Sequence, residues 1–545
     1  MSPIGKLSQL AWQVPTLVRG GMLPAMSPPG YLRAAKVARS YGLSPATTFA
    51  ISALSDPDRL AIVDGTGSTT WGEFDWRSGI LASELATVAG GVEGPTIALM
   101  ARNSRAFAEA VIATAKLGGR ILLLNTGFSG PQLAEVVERE GADIVIFDDE
   151  FRSVIDHLPG QRPLLVASAD AATPEPSVTS LIEKSTAPPA SPPRRPGKIV
   201  ILTSGTSGTP KGAERSGGSV GIGAIAGFFD RIPLRRHEIM AIGAPMFHAW
   251  GLVGLTIGAS LAATIVTSRR FDPEQTLRQC EEHRASVLWL VPVMLERIMA
   301  LPDDVRGRYD LSSLRIVALS GSALRADAVH QFMDDYGDMV YNNYSSTEVG
   351  WAAIATPADL REAPATAGRP PRGTEIRILD DDGAAVDGDT PGRIFVRNDT
   401  LFEGYTGGGR KQVIDGFMET GDVGHLDAKG RLHVDGRSDD MIVSGGENVY
   451  PAEVERLLGS HPKVVEAAVL GVPDEQYGQR LTAFVVPDDG ADASALPGEL
   501  RDMVRDNLAR HKVPRAIDLI DELPRNAAGK VVKRELLGRA TDTSA

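Results

Sequence analysis

The sequence predicts an α/β fold: a large N-terminal domain of mostly parallel sheets, then a small α+β domain at the C-terminus. Three observations carry this. Short apolar runs alternate with helical patterns from residue 96 onward, which implies parallel strands joined by crossover helices. Buried strands recur at 199–202 and 316–319, each running into a loop of small residues, the place where parallel sheets bind ligands. Beyond Asp435-Gly436-Arg437 the texture changes to a compact mixture of helices and strands. At 545 residues the chain exceeds what one core usually holds, so several domains are expected.

Residues 1–46 form an N-terminal extension. Leu7, Leu10, Ala11, Val14, Leu17 and Val18 fall on one face at helical spacing, flanked by Lys6 and Arg19. Pro15 is expected to interrupt that helix. The segment reads as a helix packed on its own body, with peripheral membrane contact through residues 1–20 as the alternative. The large domain spans 47–436. Residues 96–100 read as a buried strand, 104–117 as a helix, 121–124 as a strand, 132–140 as a helix and 144–147 as a third strand. A Pro/Ala/Ser-rich stretch, 170–197, reads as a surface linker. Residues 251–268 carry no charge and would just span a bilayer, but their glycines, threonines and serines favour a buried helix running into a buried strand. The small domain, 437–545, shows a helix at 452–459, strands near 464–470 and 481–486, a helix at 498–510 and a strand near 515–519.

Composition narrows the function classes. Hydrophobic content of 43% and charged content of 23% are ordinary for a globular protein and exclude wholesale disorder. A net charge of −13 without a strong basic patch speaks against nucleic acid as a partner. Cys280 is the sole cysteine, so intramolecular disulfides and cysteine-based zinc clusters are impossible and a reducing cytoplasm fits. The N-terminus lacks the features of a secretory signal.

The strongest chemical signal is Thr203-Ser204-Gly205-Thr206-Ser207-Gly208-Thr209-Pro210-Lys211-Gly212, directly after a buried strand. Glycines let backbone approach a ligand, hydroxyls and amides donate to phosphate oxygens, and Lys211 adds positive charge. A Walker loop is excluded, because Lys211 follows a proline and precedes a glycine. The loop resembles the phosphate-binding signature of adenylate-forming enzymes: acyl-CoA synthetases, firefly luciferases and peptide-synthetase adenylation domains. Further motifs arrive in that family's order from about residue 50 to 540, most like a bacterial fatty-acid–CoA ligase.

The resemblance implies a small β-barrel-like subdomain, a mobile C-terminal domain pivoting at Asp439, and a role for each motif. In Pro245-Met246-Phe247-His248-Ala249-Trp250-Gly251, His248 and Trp250 wall the acyl pocket, together with Ser320, Gly321 and Gly350. Ser320-Gly321-Ser322-Ala323 is the small-residue loop that contacts adenine and substrate. In Asn343-Tyr344-Ser345-Ser346-Thr347-Glu348, Tyr344 gives adenine a flat aromatic face, Thr347 touches phosphate and Glu348 binds magnesium. Ser345 departs from the family's usual glycine. Asp422 and Arg437 reach the ribose, and Ser444-Gly445-Gly446 edges the pantetheine tunnel. Lys530, after Gly529, swings onto the carboxylate and α-phosphate.

The implied activity is an ATP- and Mg²⁺-dependent acid–CoA ligase. A carboxylate attacks the α-phosphorus of ATP, and coenzyme A then takes the acyl group from the adenylate. Gly251, Gly254 and Gly258 beyond Trp250 either extend a channel for a medium- or long-chain fatty acid or simply permit close packing. The alternatives are an aromatic-acid–CoA ligase, a ligase loading a carrier protein in trans, a light-emitting oxidative use of the adenylate, and a catalytically dead nucleotide-binding regulator.

Overall fold

Ile97 and Leu99 of the strand Thr96–Met100 enter one core while Ala98 and Met100 enter another in the computed structural model. A strand's period of two imposes this on any sheet covered on both faces. The structure describes residues 3–42, 44–169, 172–203, 211–215, 222–386, 388–402, 404–405, 411–438, 440, 442–444, 447–474, 478–488, 490–526 and 529–542.

Thr96–Met100 lies in a seven-stranded sheet of order Gly404–Tyr405, Lys211–Arg215, Lys198–Thr203, Arg120–Leu123, Thr96–Met100, Ile144–Phe147, Leu164–Val166. Its five inner and far-edge strands are parallel; only Lys211–Arg215 and Gly404–Tyr405 run antiparallel. A second sheet of eight strands runs Gly350–Ala355, Val340–Ser346, Ile316–Ser320, Val287–Leu290, Ile239–Ile242, Thr264–Thr267, Leu60–Asp64, Gly67–Thr70, with antiparallel pairing only at its two edges. The largest core joins the two sheets through the helices Trp71–Val88, Arg105–Lys116 and Ala249–Ser260. Ser104 fixes the start of Arg105–Lys116 by accepting the Phe107 amide at 3.0 Å.

A five-stranded antiparallel sheet, Glu375–Leu379 to Leu432–Arg437, stands where the barrel-like subdomain was expected. The C-terminal sheet orders Glu447–Val449, Ile442–Ser444, Gly478–Pro487 and Val464–Asp474, with Ala516–Leu519 parallel to Gly478–Pro487. The helices Pro451–Gly459 and Leu496–Asn507 close its own core of Val454, Leu458, Leu500 and Val504.

Three expectations are corrected. The stretch 170–197 contains the helix Val178–Lys184, whose Val178 and Ile182 are fully buried one turn apart. Ser177 and Ser180 cap it reciprocally, and Ser83 and Gly79 bind the Pro188–Ala190 backbone, so the segment is a packed strap. Pro15 does not interrupt the first helix, Pro3–Gly20. It is exposed, as is Ala11, the residue whose carbonyl loses its partner, so water can take that bond. Among its described residues that helix buries Gln13, Thr16 and Gly20, while Ala11, Val14 and Val18 of the apolar stripe are exposed. The uncharged run 251–268 resolves into the helix Ala249–Ser260 and the buried strand Thr264–Thr267, as expected, and no described helix is long and apolar enough to cross a membrane.

Candidate active site

The carboxyl ends of Lys198–Thr203, Ile316–Ser320 and Val340–Ser346 supply the predicted residues. Thr203 pairs with Lys211 across an antiparallel hairpin, so the ends of the glycine-rich loop are held side by side. Ser204, Gly205, Thr206, Ser207 and Gly208 lie outside the described residues, as do Asp439, Gly445 and Gly446. Ser444 ends the strand Ile442–Ser444.

Gly321, Ser322 and Ala323 are exposed at the end of Ile316–Ser320, and Gly321 takes a φ of +111° that favours glycine. Ser320 is buried and donates to the Asn343 carbonyl at 2.6 Å, with the Ser345 hydroxyl 3.2 Å away. Its hydroxyl therefore clamps two strands. Here the serine at 345, where the family has glycine, supplies a polar partner.

Thr347 and Glu348 occupy the turn between Val340–Ser346 and Gly350–Ala355, where Ser346 pairs with Gly350. The Ser346 hydroxyl accepts the Glu348 and Val349 amides at 3.2 and 3.3 Å. A strut missed by sequence reasoning holds the turn from behind. Thr400 donates to the Val349 carbonyl at 2.9 Å, Asn398 donates to the Val349 and Trp351 carbonyls, and the Phe402 amide donates to the Glu348 carbonyl at 2.7 Å. Gly350, at φ +69°, leaves no room for a side chain, since a Cβ there would fall 2.1 Å from Thr400 Oγ1.

Asp422 and Arg437 face each other across paired strands, 3.9 Å apart at the nearest charged atoms. The Tyr344 hydroxyl donates to Asp422. Burial, then the Asp422 charge, push that phenol well above its ordinary range, so it remains a donor. Lys411, unremarked in the sequence, brings its ammonium to within 2.9 Å of where a Cβ on Gly421 would stand, beside Arg437.

Lys530 joins this cluster from the other domain. Its turn is built by Asn526, whose side chain accepts the Lys530 amide at 3.0 Å. Gly529, at φ +79°, presses on Val293 so closely that a Cβ would come within 2.7 Å. Loss of hydration in the cleft, then the Arg437 charge, pull the Lys530 ammonium below the usual lysine range, while Asp422 and Glu348 oppose this. The side chain remains open to solvent, so the cleft is walled rather than sealed.

His248 stands at the N-cap position of the helix Ala249–Ser260, its ring 4.4 Å from that of Phe247 at a 42° tilt, and has no partner for its buried Nε2. Burial first, and Lys530 second, lower its pKa to about 4, so the ring is neutral near pH 7. Trp250 stacks on Trp289 at 4.2 Å, and each indole N–H is satisfied by backbone: Trp250 by Leu290, Trp289 by Trp250. Phe228 touches Trp250, Trp289 and Trp351. Sequence reasoning named only Trp250 of these four; the others look like ordinary core aromatics in the chain.

The glycines beyond Trp250 are filled from outside. A Cβ on Gly251 would meet the Pro245 carbonyl at 2.2 Å, one on Gly254 would meet Trp289 at 3.0 Å, and one on Gly258 would meet Ile265 and Met240 at 3.2 to 3.3 Å. These contacts favour the second of the two readings, glycines that permit close packing.

The Glu348 turn, the Asp422–Arg437 pair and a lysine from a second domain thus come together. The AMP-binding enzyme family profile matches residues 49–406, and the AMP-binding enzyme C-terminal domain profile matches 453–530. The chain belongs to the AMP-binding enzyme family. Among relatives of this AMP-binding enzyme, the indoleacetate–CoA ligase of Aromatoleum aromaticum is 34% identical over 475 residues, covering 85% of this chain and 92% of its own. The 2-succinylbenzoate–CoA ligase of Bacillus licheniformis is 31% identical, covering 88% and 97%. The o-succinylbenzoate CoA synthetase from Bacillus subtilis, solved with its acyl-adenylate intermediate, superposes with a TM-score of 0.75 at 26% identity, covering 90% and 97%. Adenylate-forming CoA ligases use ATP, Mg²⁺ and coenzyme A. The described residues contain no cluster of three or more His, Cys, Asp or Glu side chains able to cage a metal. One carboxylate at the Glu348 turn fits Mg²⁺, which takes few protein ligands and completes its shell with phosphate and water.

Proposed function

We propose that this AMP-binding enzyme is an AMP-forming ligase that couples an aromatic carboxylic acid to coenzyme A. The observation that carries the acid class is the closed floor behind Trp250, where Trp289 stacks on Trp250 and Gly254 packs on Trp289. A long alkyl chain needs a channel there; a ring needs flat aromatic walls. The ring-bearing acids named for the indoleacetate and succinylbenzoate ligases support the same reading. The medium- or long-chain fatty acid expected from the sequence therefore gives way to an aromatic acid.

In the first half-reaction a carboxylate oxygen attacks the α-phosphorus of ATP, a P–O bond forms, and pyrophosphate leaves. Lys530 stands where negative charge develops on the carboxylate and α-phosphate. Glu348 would hold Mg²⁺, which would supply charge neutralisation when bound; Thr347, Lys211 and the loop Thr203–Gly208 bind the phosphates. Asp422 and Arg437 orient the ribose, and positioning does most of the work. A neutral His248 beside the acyl group adds no second cation to compete with Lys530 for the carboxylate. In the second half-reaction the coenzyme A sulfur attacks the acyl carbon, AMP leaves with the bonding pair, and the thiol proton passes to solvent. Rotation of the small domain about Asp439 would withdraw Lys530 and bring in Ser444, Gly445 and Gly446.

A panel of acids tests this. Purified protein with ATP, Mg²⁺ and coenzyme A should release AMP and form thioesters with arylacetic, benzoic or cinnamic acids far better than with dodecanoic or hexadecanoic acid. Preference for the long chains would overturn the aromatic reading. Adenylate formation with no thioester, unless a carrier protein is added, would overturn the coenzyme A reading.

A further inference from the structure

The first 55 residues hold five cations, Lys6, Arg19, Arg33, Lys36 and Arg39, and no carboxylate, in a chain whose net charge is −13. The AMP-binding enzyme profile begins at residue 49, so all five of these cations precede the matched region. Its first helix, Pro3–Gly20, packs on Ile222–Arg231, and its described side chains are buried in an order unusual for a core. Gln13 and Thr16 are buried at 7% and 8% exposure, whereas Val14 and Val18 are 44% and 53% exposed. The segment continues with Leu23 at 57%, then Tyr31 at 50% and Leu32 at 75% at the start of the helix Pro28–Tyr41. Arg19, Arg33, Lys36 and Arg39 are exposed among them.

Five of the eleven large apolar side chains exposed among the described residues thus fall within residues 14–32. Scattered single apolar residues need no explanation, but such a concentration on one short segment does. From these observations we infer that the N-terminal helix pair docks on an anionic phospholipid bilayer. Apolar side chains on a peripheral helix enter the acyl boundary, and interleaved Lys and Arg pair with negative headgroups. The absence of carboxylates removes the repulsion that the acidic remainder of the chain would meet at such a surface. Tyr31 suits the headgroup level, its hydroxyl already satisfied by the Pro24 carbonyl at 3.0 Å. The docking holds the enzyme at a membrane without a spanning helix, and it does not depend on which acid the active site takes.

Co-sedimentation of the full-length protein with vesicles tests this. Phosphatidylcholine vesicles carrying phosphatidylglycerol should pull the protein down, pure phosphatidylcholine should not, and added salt should release it. Arg33→Glu with Lys36→Glu and Arg39→Glu should weaken partitioning on the order of a hundredfold. Val18→Asp with Leu32→Asp should also release the protein. These side chains are exposed, so melting curves should stay at the wild-type temperature, which separates lost docking from lost folding. Failure to bind the anionic vesicles, or binding that neither set of variants alters, would overturn the proposal. So would sedimentation velocity showing a dimer that Leu32→Asp dissolves, which would assign the patch to a second copy. Tighter retention on duplex DNA than on the vesicles would equally overturn it.

Discussion

Thr400 is 2% exposed, with its hydroxyl in reach of two acceptors, the Val349 carbonyl and Asn398 Oδ1, about fifty residues away in sequence from the turn it supports. That hydroxyl matters because it stiffens the backbone under Glu348. Thr400→Val keeps the shape and removes one of the two donors at the Val349 carbonyl, leaving Asn398 alone there, which should cost about 1 kcal/mol of stability. The magnesium concentration for half-maximal adenylation should rise as the Glu348 turn loosens. A magnesium titration on both proteins checks it; an unshifted curve in a destabilised protein would make Thr400 a structural residue only. The residues proposed to touch the nucleotide were legible because each is a chemical type at a motif position: Glu348, Asp422, Arg437, Lys530. The strut was not legible. Asn398 and Thr400 act through backbone carbonyls brought together by folding, and hydrogen bonds to backbone leave no mark of their own in a sequence. Trp289 was hidden for a similar reason, since a buried tryptophan in an apolar strand looks the same whether it fills a core or ends a pocket.

At the level of elements, the parallel strands were readable because both their faces are covered, giving continuous apolar runs such as Ile144–Phe147. The antiparallel return Lys211–Arg215 was less legible, because its pairing with Lys198–Thr203 is a long-range fact about two segments flanking a glycine-rich loop. The helix Ala249–Ser260 left two readings open, and packing decides between them. Gly254 faces the Trp289 ring at 3.0 Å from any added Cβ. Gly254→Leu should therefore overpack the helix against the Val287–Leu290 strand, costing about 1–3 kcal/mol. Activity with short and long acids should fall alike, together with the melting temperature. Loss confined to long acids at an unchanged melting temperature would restore the channel. The strap around Val178–Lys184 was hard to read because composition outweighs a two-residue apolar pattern. Burying Val178 and Ile182 is each worth about 1.5–3 kcal/mol, enough to order a stretch rich in proline.

Across the whole molecule, the arrangement of the two domains is what makes the lysine useful. Arg325 of the large domain donates to the Val465 carbonyl of the small one, and Arg525 pairs with Glu466 at 2.8 Å. Glu296 sits among these charges. Burial raises it to about 7 against the pull of Arg325 and Arg525, with Glu466 and Asp327 adding to the rise. A carboxyl raised in the folded state contributes stability that is fully present below its ordinary value of 4.5 and is lost as pH climbs through about 7. Melting temperature should thus decline across that window in the native protein and decline less in Glu296→Gln. Parallel pH profiles would remove Glu296 from the closure. The central claim is that Lys530, held by Gly529 against Val293, serves the adenylating half of the reaction alone. The most direct measurement is of the two half-reactions taken separately on the native protein and Lys530→Ala. Adenylate formation from acid and ATP should fall roughly a hundredfold to a thousandfold, while thioester formation from supplied acyl-adenylate and coenzyme A should stay within about twofold. Equal loss of both half-reactions in a folded variant, or an unimpaired first half, would contradict it.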